Sequence, residues 1–203
     1  MPDMKKIIIL ACLLFPSMAF AQYYSGPSPS GQYPGGFHNR TGRLAFGFSA
    51  GLGGMSDKGG DIECTNCDYG TFAGQLSGHI GGFLGPRFAL MGEAQANVQT
   101  LATDGFDDTT LVQTALMLAG QYWLTPQLWI KGGIGFANLQ VQDSAGFVSR
   151  PENGGALMGA IGFEILSARF FSIDLQGRLL NGSYKGIDNN ITAFSVGLGV
   201  NWF

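Results

Sequence analysis

At 203 residues the chain has room for one domain of moderate size, but only 12% of its residues are charged, 12% are aromatic and 33 are glycine. Soluble domains carry about 25% charged residues. The formal charge of −3, with no basic cluster longer than Lys5-Lys6, excludes a nucleic-acid partner.

Residues 1–21 read as an export signal: Lys5-Lys6 is the positive region, Ile7 to Phe15 the apolar core, and Ala19-Phe20-Ala21 the small-x-small cleavage site. Cys12 follows Ile9-Leu10-Ala11, but the apolar run continues beyond it, so lipidation is the weaker reading. Residues 22–42 are rich in Pro, Gly, Ser and Tyr and have no period, which predicts a flexible segment. No later stretch offers the roughly 20 apolar residues of a helical membrane span. The apolar surface must therefore be distributed over strands.

A first strand is expected over about Arg43 to Met55, with Leu44, Phe46, Phe48, Ala50 and Leu52 on one face. A second, about Phe72 to Leu84, sends Phe72, Leu76, Ile80 and Leu84 outward and Gln75, Ser77 and His79 inward, then turns at Gly85-Pro86-Arg87. The third returns with Phe88, Leu90, Ala94, Ala96 and Val98 out and Glu93, Gln95, Asn97 and Gln99 in. A long loop is expected from Ala102 to Thr110, then a fourth strand, Leu111 to Leu124, and a turn at Thr125-Pro126.

The fifth strand starts with Leu128, Ile130, Ile134 and Phe136 outward and Lys131 inward; Leu139 and Val141 then suggest a change of phase and a bulge near Ala137-Asn138. The sixth, Ala156 to Leu166, points Glu164 inward. The seventh points Asp174, Gln176 and Arg178 inward, with Phe171, Ile173, Leu175 and Leu179 outward. In the eighth, Ile191 to Phe203, Phe194, Val196, Leu198, Val200 and Trp202 alternate with Ser195, Gly197, Gly199 and Asn201.

Eight strands, three short connections and four long ones, apolar outward and polar inward, predict an all-β fold: an eight-stranded antiparallel up-and-down transmembrane β-barrel over residues 43–203. Phe83, Phe88, Tyr122, Trp123, Trp129, Phe170, Phe171, Trp202 and Phe203 lie near the short turns and are expected to form an interfacial girdle. On these features the chain resembles the small eight-stranded outer-membrane proteins of the OmpA and OmpX type. The resemblance implies a bacterial outer-membrane location, contact with outer-membrane lipids and lipopolysaccharide, barrel-assembly machinery reading Trp202 and Phe203, and a structural, envelope-integrity or adhesion-like role as a monomer. Counted back from Phe203, however, the alternate positions are Asn201, Gly199 and Gly197, and the apolar phase falls on Trp202.

Three constellations could carry chemistry. His79, Glu93, Lys131, Glu164, Asp174 and Arg178 face the lumen, where unpaired charge is costly; the bland reading is a salt-bridged plug, since eight strands leave space for side chains and not for a channel. The sharper reading takes Ser77, His79 and Glu93 as the residue set of a lipid-acting serine hydrolase, although i and i+2 neighbours on one face stand about 6–7 Å apart. Cys64 and Cys67 lie in the first long loop, where a disulfide is the expectation in an oxidising compartment. One CxxC supplies two of the four ligands a zinc site wants, so no metal is expected, and no cofactor. A ligand for the external loops remains open. Those loops carry ten acids (Asp57, Asp61, Glu63, Asp68, Asp104, Asp107, Asp108, Asp143, Glu152, Asp188) against Lys58, Arg150 and Lys185.

Overall fold

A computed structural model describes residues 40–57, 67–103, 106–142, 151–168, 170–185 and 190–203. The expected signal peptide, most of the 22–42 segment, Cys64 and much of the loop acidity lie outside them. Eight antiparallel strands form one closed barrel in sequence order: β1 (Leu44–Asp57), β2 (Cys67–Phe83), β3 (Phe88–Thr103), β4 (Phe106–Trp123), β5 (Leu128–Gln142), β6 (Glu152–Ser167), β7 (Phe171–Tyr184) and β8 (Ile191–Trp202). The seam is β1 against β8, from Phe46 opposite Trp202 to Asp57 opposite Ile191. Closure gives every strand two neighbours and leaves no edge of unpaired amides, the condition for crossing lipid with strands.

The strands are longer than their apolar alternation suggests. β3 runs to Thr103 and β4 starts at Phe106, so most of the expected loop from Ala102 to Thr110 is ladder instead. Hydrophobicity marks the part of a strand that meets an apolar medium; the ladder itself continues into polar sequence because backbone pairing does not depend on it.

The expected bulge at Ala137-Asn138 is absent. β5 stays in unbroken register with β4 from Gln142 to Trp129, and with β6 from Leu139 to Leu128. Ala137 and Leu139 face inward and are buried, and the apolar phase shifts because the outward positions of β5 turn polar at Asn138 and Gln140. Register shifts occur between Tyr69 and Ala73, Leu101 and Thr103, and Glu164 and Leu166.

The outer surface is apolar over its middle: Phe48, Leu76, Leu116, Ile134, Leu157, Ile161, Leu198 and Phe136, the last 79% exposed, stand out from the sheet. Above them, towards the long connections, outward residues turn polar. Asn138 donates to Asn153 (3.0 Å), Gln140 to Asn138 (2.8 Å) and Asn181 to Thr192 (2.8 Å). Below them Phe88, Tyr122, Phe170 and Phe171 are exposed near the short turns, and Trp202 stacks on Phe46 across the seam at 5.3 Å. Four members of the expected girdle are not in it. Phe83, Trp123, Trp129 and Phe203 are each at most 3% exposed and point into the barrel, as their odd parity with Ser77, Gln121, Lys131 and Asn201 dictates.

Candidate functional site

Among the described residues, chemistry-bearing side chains converge in the lumen, and strand parity decides which ones arrive. At its short-turn end stands Arg40, from the turn that precedes β1; Gly42 N–H bonds Phe83 O at 2.9 Å and Arg43 N–H bonds Arg40 O at 3.0 Å, fixing that turn on β2. Gly42 takes φ 77°, a left-handed geometry that favours glycine. The Arg40 guanidinium donates to both Glu164 oxygens at 3.1 Å and lies 3.9 Å from the Phe203 ring centroid, 5.3 Å from Trp123 and 5.8 Å from Phe83. Trp123 Nε1–H donates to Glu164 Oε1 at 2.8 Å. The buried aromatics thus form a cage around an ion pair, and the mouth is filled.

One level up, Asp174 sits opposite Glu164 in the β6–β7 register and accepts from Asn201 Nδ2 at 2.6 Å. Next, Glu93, 0% exposed, is paired with Lys131 Nζ at 3.1 Å and with the Arg178 guanidinium. Arg178 also donates to Gln176 (3.0 Å) and Gln95 (3.1 Å). From there carboxamides pass the hydrogen bonding upward: Gln95 to Asn97 (3.1 Å), Asn97 to Gln113 (3.1 Å), and Gln113 to Tyr184 Oη (2.9 Å) and to Ile191 O (3.3 Å). Three bases (Arg40, Lys131, Arg178) meet three acids (Glu93, Glu164, Asp174), so the interior charge cancels. Low-dielectric burial makes that balance necessary.

Of the six lumen residues expected from sequence, Glu93, Lys131 and Arg178 are brought together as an ion triad. Glu164 is taken by Arg40 instead of Lys131 or Arg178, and Asp174 by Asn201. His79 lies opposite Glu93 in the β2–β3 register and is only partly buried. Arg40 was hidden from sequence reasoning because it belongs to an aperiodic stretch and its partner is 124 residues away; the surplus of inward acids over inward bases was the available signal.

The hydrolase arrangement is not assembled. The Ser77 hydroxyl bonds the Ser49 hydroxyl at 2.7 Å, across β1–β2, and Glu93 is committed to two cations. A relay would need Ser77 and Glu93 to share His79. Among the described residues no group of three or more His, Cys, Asp or Glu converges as metal ligands would.

A scan against protein-family models and a search of curated proteins both find no match. Solved structures do match. The chain is similar to Ail, the attachment invasion locus protein of Yersinia pestis, in complex with the heparin analogue sucrose octasulfate: TM-score 0.53, 11% identity, 78% of this chain and 95% of that one covered. A second structure of Ail gives 0.51 at 12% identity with the same coverage. Neisserial surface protein A follows at 0.48 and 11%, covering 78% of this chain and 95% of its own. The two Ail matches show a likeness of fold, that of the closed barrel described above.

Proposed function

We propose that the chain is an integral protein of the bacterial outer membrane, a sealed barrel whose role is structural, in envelope integrity or surface attachment through the long connections. The observation that carries this reading is the inverted polarity: large apolar side chains outside, a charge-balanced hydrogen-bonded interior. In water this arrangement would expose an apolar belt far larger than soluble monomers tolerate; in a bilayer it is the favourable one. The Ail fold match supports the same setting. Ail is seen with a sulfated sugar, but here the long connections and the strand ends beside them carry ten acids to three bases, so an anionic polysaccharide is not the ligand their charge favours. Trp202 and Phe203 serve as the assembly signal in this reading, with Trp202 as its lipid-facing member. Cys64 and Cys67 form an external disulfide, which alkylation of the non-reduced protein tests: two reactive thiols would refute it.

The test of location is fractionation of cells with surface proteolysis of the loops. The reading expects recovery with outer membranes, heat-modifiable migration on gels, and cleavage from outside intact cells. Recovery in the soluble periplasm without detergent would contradict it.

A further inference from the structure

The lowest pair of the β1–β8 seam is Phe46 opposite Trp202, two residues above the start of β1, whereas β1 is already paired to β2 at Leu44. Below that pair the backbone bonds of the two chain ends lead away from each other. Gly42 N–H bonds Phe83 O and Phe83 N–H bonds Arg43 O, while the Phe203 N–H bonds the Phe170 carbonyl beside β7 at 3.0 Å. Side chains therefore hold the foot of the seam. Outside, Trp202 stacks on Phe46; inside, the Phe203 ring meets Phe83 edge-on at 5.6 Å and lies against the Arg40 guanidinium.

The groups that receive Arg40 are spread along the chain. Phe83 ends β2, Trp123 ends β4, Glu164 and Ser167 lie at the foot of β6, and Phe203 follows β8, while Arg40 itself precedes β1. Such a pocket is complete only when β8 has been laid against β1, so its occupant enters last. The Glu93 level differs in this respect, because Glu93, Lys131 and Arg178 belong to β3, β5 and β7 and need neither strand of the seam. Once in place Arg40 is firmly held, 5% exposed and bonded to both oxygens of Glu164.

We infer that Arg40 is a latch on the seam: a side chain that enters the short-turn mouth after β1 and β8 have paired and then keeps them from parting at that end. Ladder ends are where local opening begins, and this ladder ends at Phe46 and Trp202. To fray here, β8 must draw Phe203 away from the guanidinium and β1 must draw Arg40 off Glu164. The seam thus cannot open from its foot without breaking a buried ion pair, which is costly. The same contact sits where the chain before β1 joins the barrel, so a pull on that chain loads the latch before it loads the ladder. The inference stands on the barrel's geometry and does not require the membrane reading.

The experiment uses the full mature protein folded in detergent micelles. Hydrogen exchange is read by mass spectrometry on the foot of the seam, residues 46–50 and 198–202, and on the foot of the β3–β4 ladder, residues 88–94 and 116–122, as reference; folding and unfolding rates are measured in urea. Arg40→Met should speed exchange at the seam at least about tenfold over the reference, and should raise the unfolding rate while the folding rate changes less than about twofold, as for a contact formed after the transition state. Lys131→Met should speed exchange at the seam no more than at the reference. Arg40→Met with Glu164→Gln carries no stranded carboxylate and serves if Arg40→Met alone does not fold; its seam should exchange as fast as in the single variant. Equal speeding of seam and reference in Arg40→Met, wild-type seam protection in the double variant, or a folding rate that falls as far as the unfolding rate rises would overturn the latch, and Arg40 would then only compensate the charge of Glu164.

Discussion

At the scale of residues, Arg40 and Glu93 are the side chains on which the interior depends, for different reasons. Among the described residues Arg40 is the ion-pair partner of Glu164. Replacing it by Met leaves a carboxylate buried with one indole donor, which should cost about 3–5 kcal/mol. Adding Glu164→Gln to Arg40→Met should recover part of that loss, since the stranded charge is gone. Urea unfolding in detergent, followed by tryptophan emission from Trp123, reads both. Glu93 faces two cations, so Glu93→Gln should destabilise more than Lys131→Met, after which Arg178 still neutralises Glu93; the reverse order of unfolding midpoints would show that the triad is hydrated and not coupled.

Strands carry a second kind of specificity, in where a glycine can be replaced. Gly135 on β5 points inward, and a Cβ there would run into the Leu116 carbonyl of β4, whereas Gly159 on β6 points outward into space. Gly135→Ala should therefore cost about 1–3 kcal/mol by overpacking and Gly159→Ala close to nothing, as thermal shift of the folded gel band would report. The element level also shows what the sequence makes legible. Alternation names all eight strands and their faces wherever one side is apolar and the other polar, as in β3 and β8. It fails at Ala137 and Leu139, which face inward while the outward Asn138 and Gln140 are polar, so that reading the apolar phase as the lipid face inverts the strand there. It fails again at strand ends, where Thr103 and Phe106 lie in ladder that hydrophobicity does not mark. Nearness to a turn does not say which way Phe83, Trp123, Trp129 and Phe203 point, but parity does. Arg40 lies beyond either signal, since cross-barrel pairing leaves no local trace.

On the scale of the whole molecule, the cage around Arg40, the Glu93 triad and the carboxamide row occupy successive levels of one narrow lumen. An eight-stranded barrel is filled by its side chains, and here the filling is charge-neutral and hydrogen-bonded. Planar bilayers containing the purified barrel should show no stable large conductance; sustained channels would mean the levels are not stacked as described. The central claim is the inverted polarity of the wall, and β8 displays it most cleanly. Spin labels placed one at a time at Phe194, Val196, Leu198 and at Ser195, with the barrel in lipid and Cys64 and Cys67 replaced, measure it through collision with oxygen, which partitions into lipid, and with a water-soluble nickel chelate. The account predicts high oxygen and negligible nickel accessibility at 194, 196 and 198, and low accessibility to both at 195. Nickel accessibility at the three outward positions, or the same oxygen accessibility at all four, would contradict it.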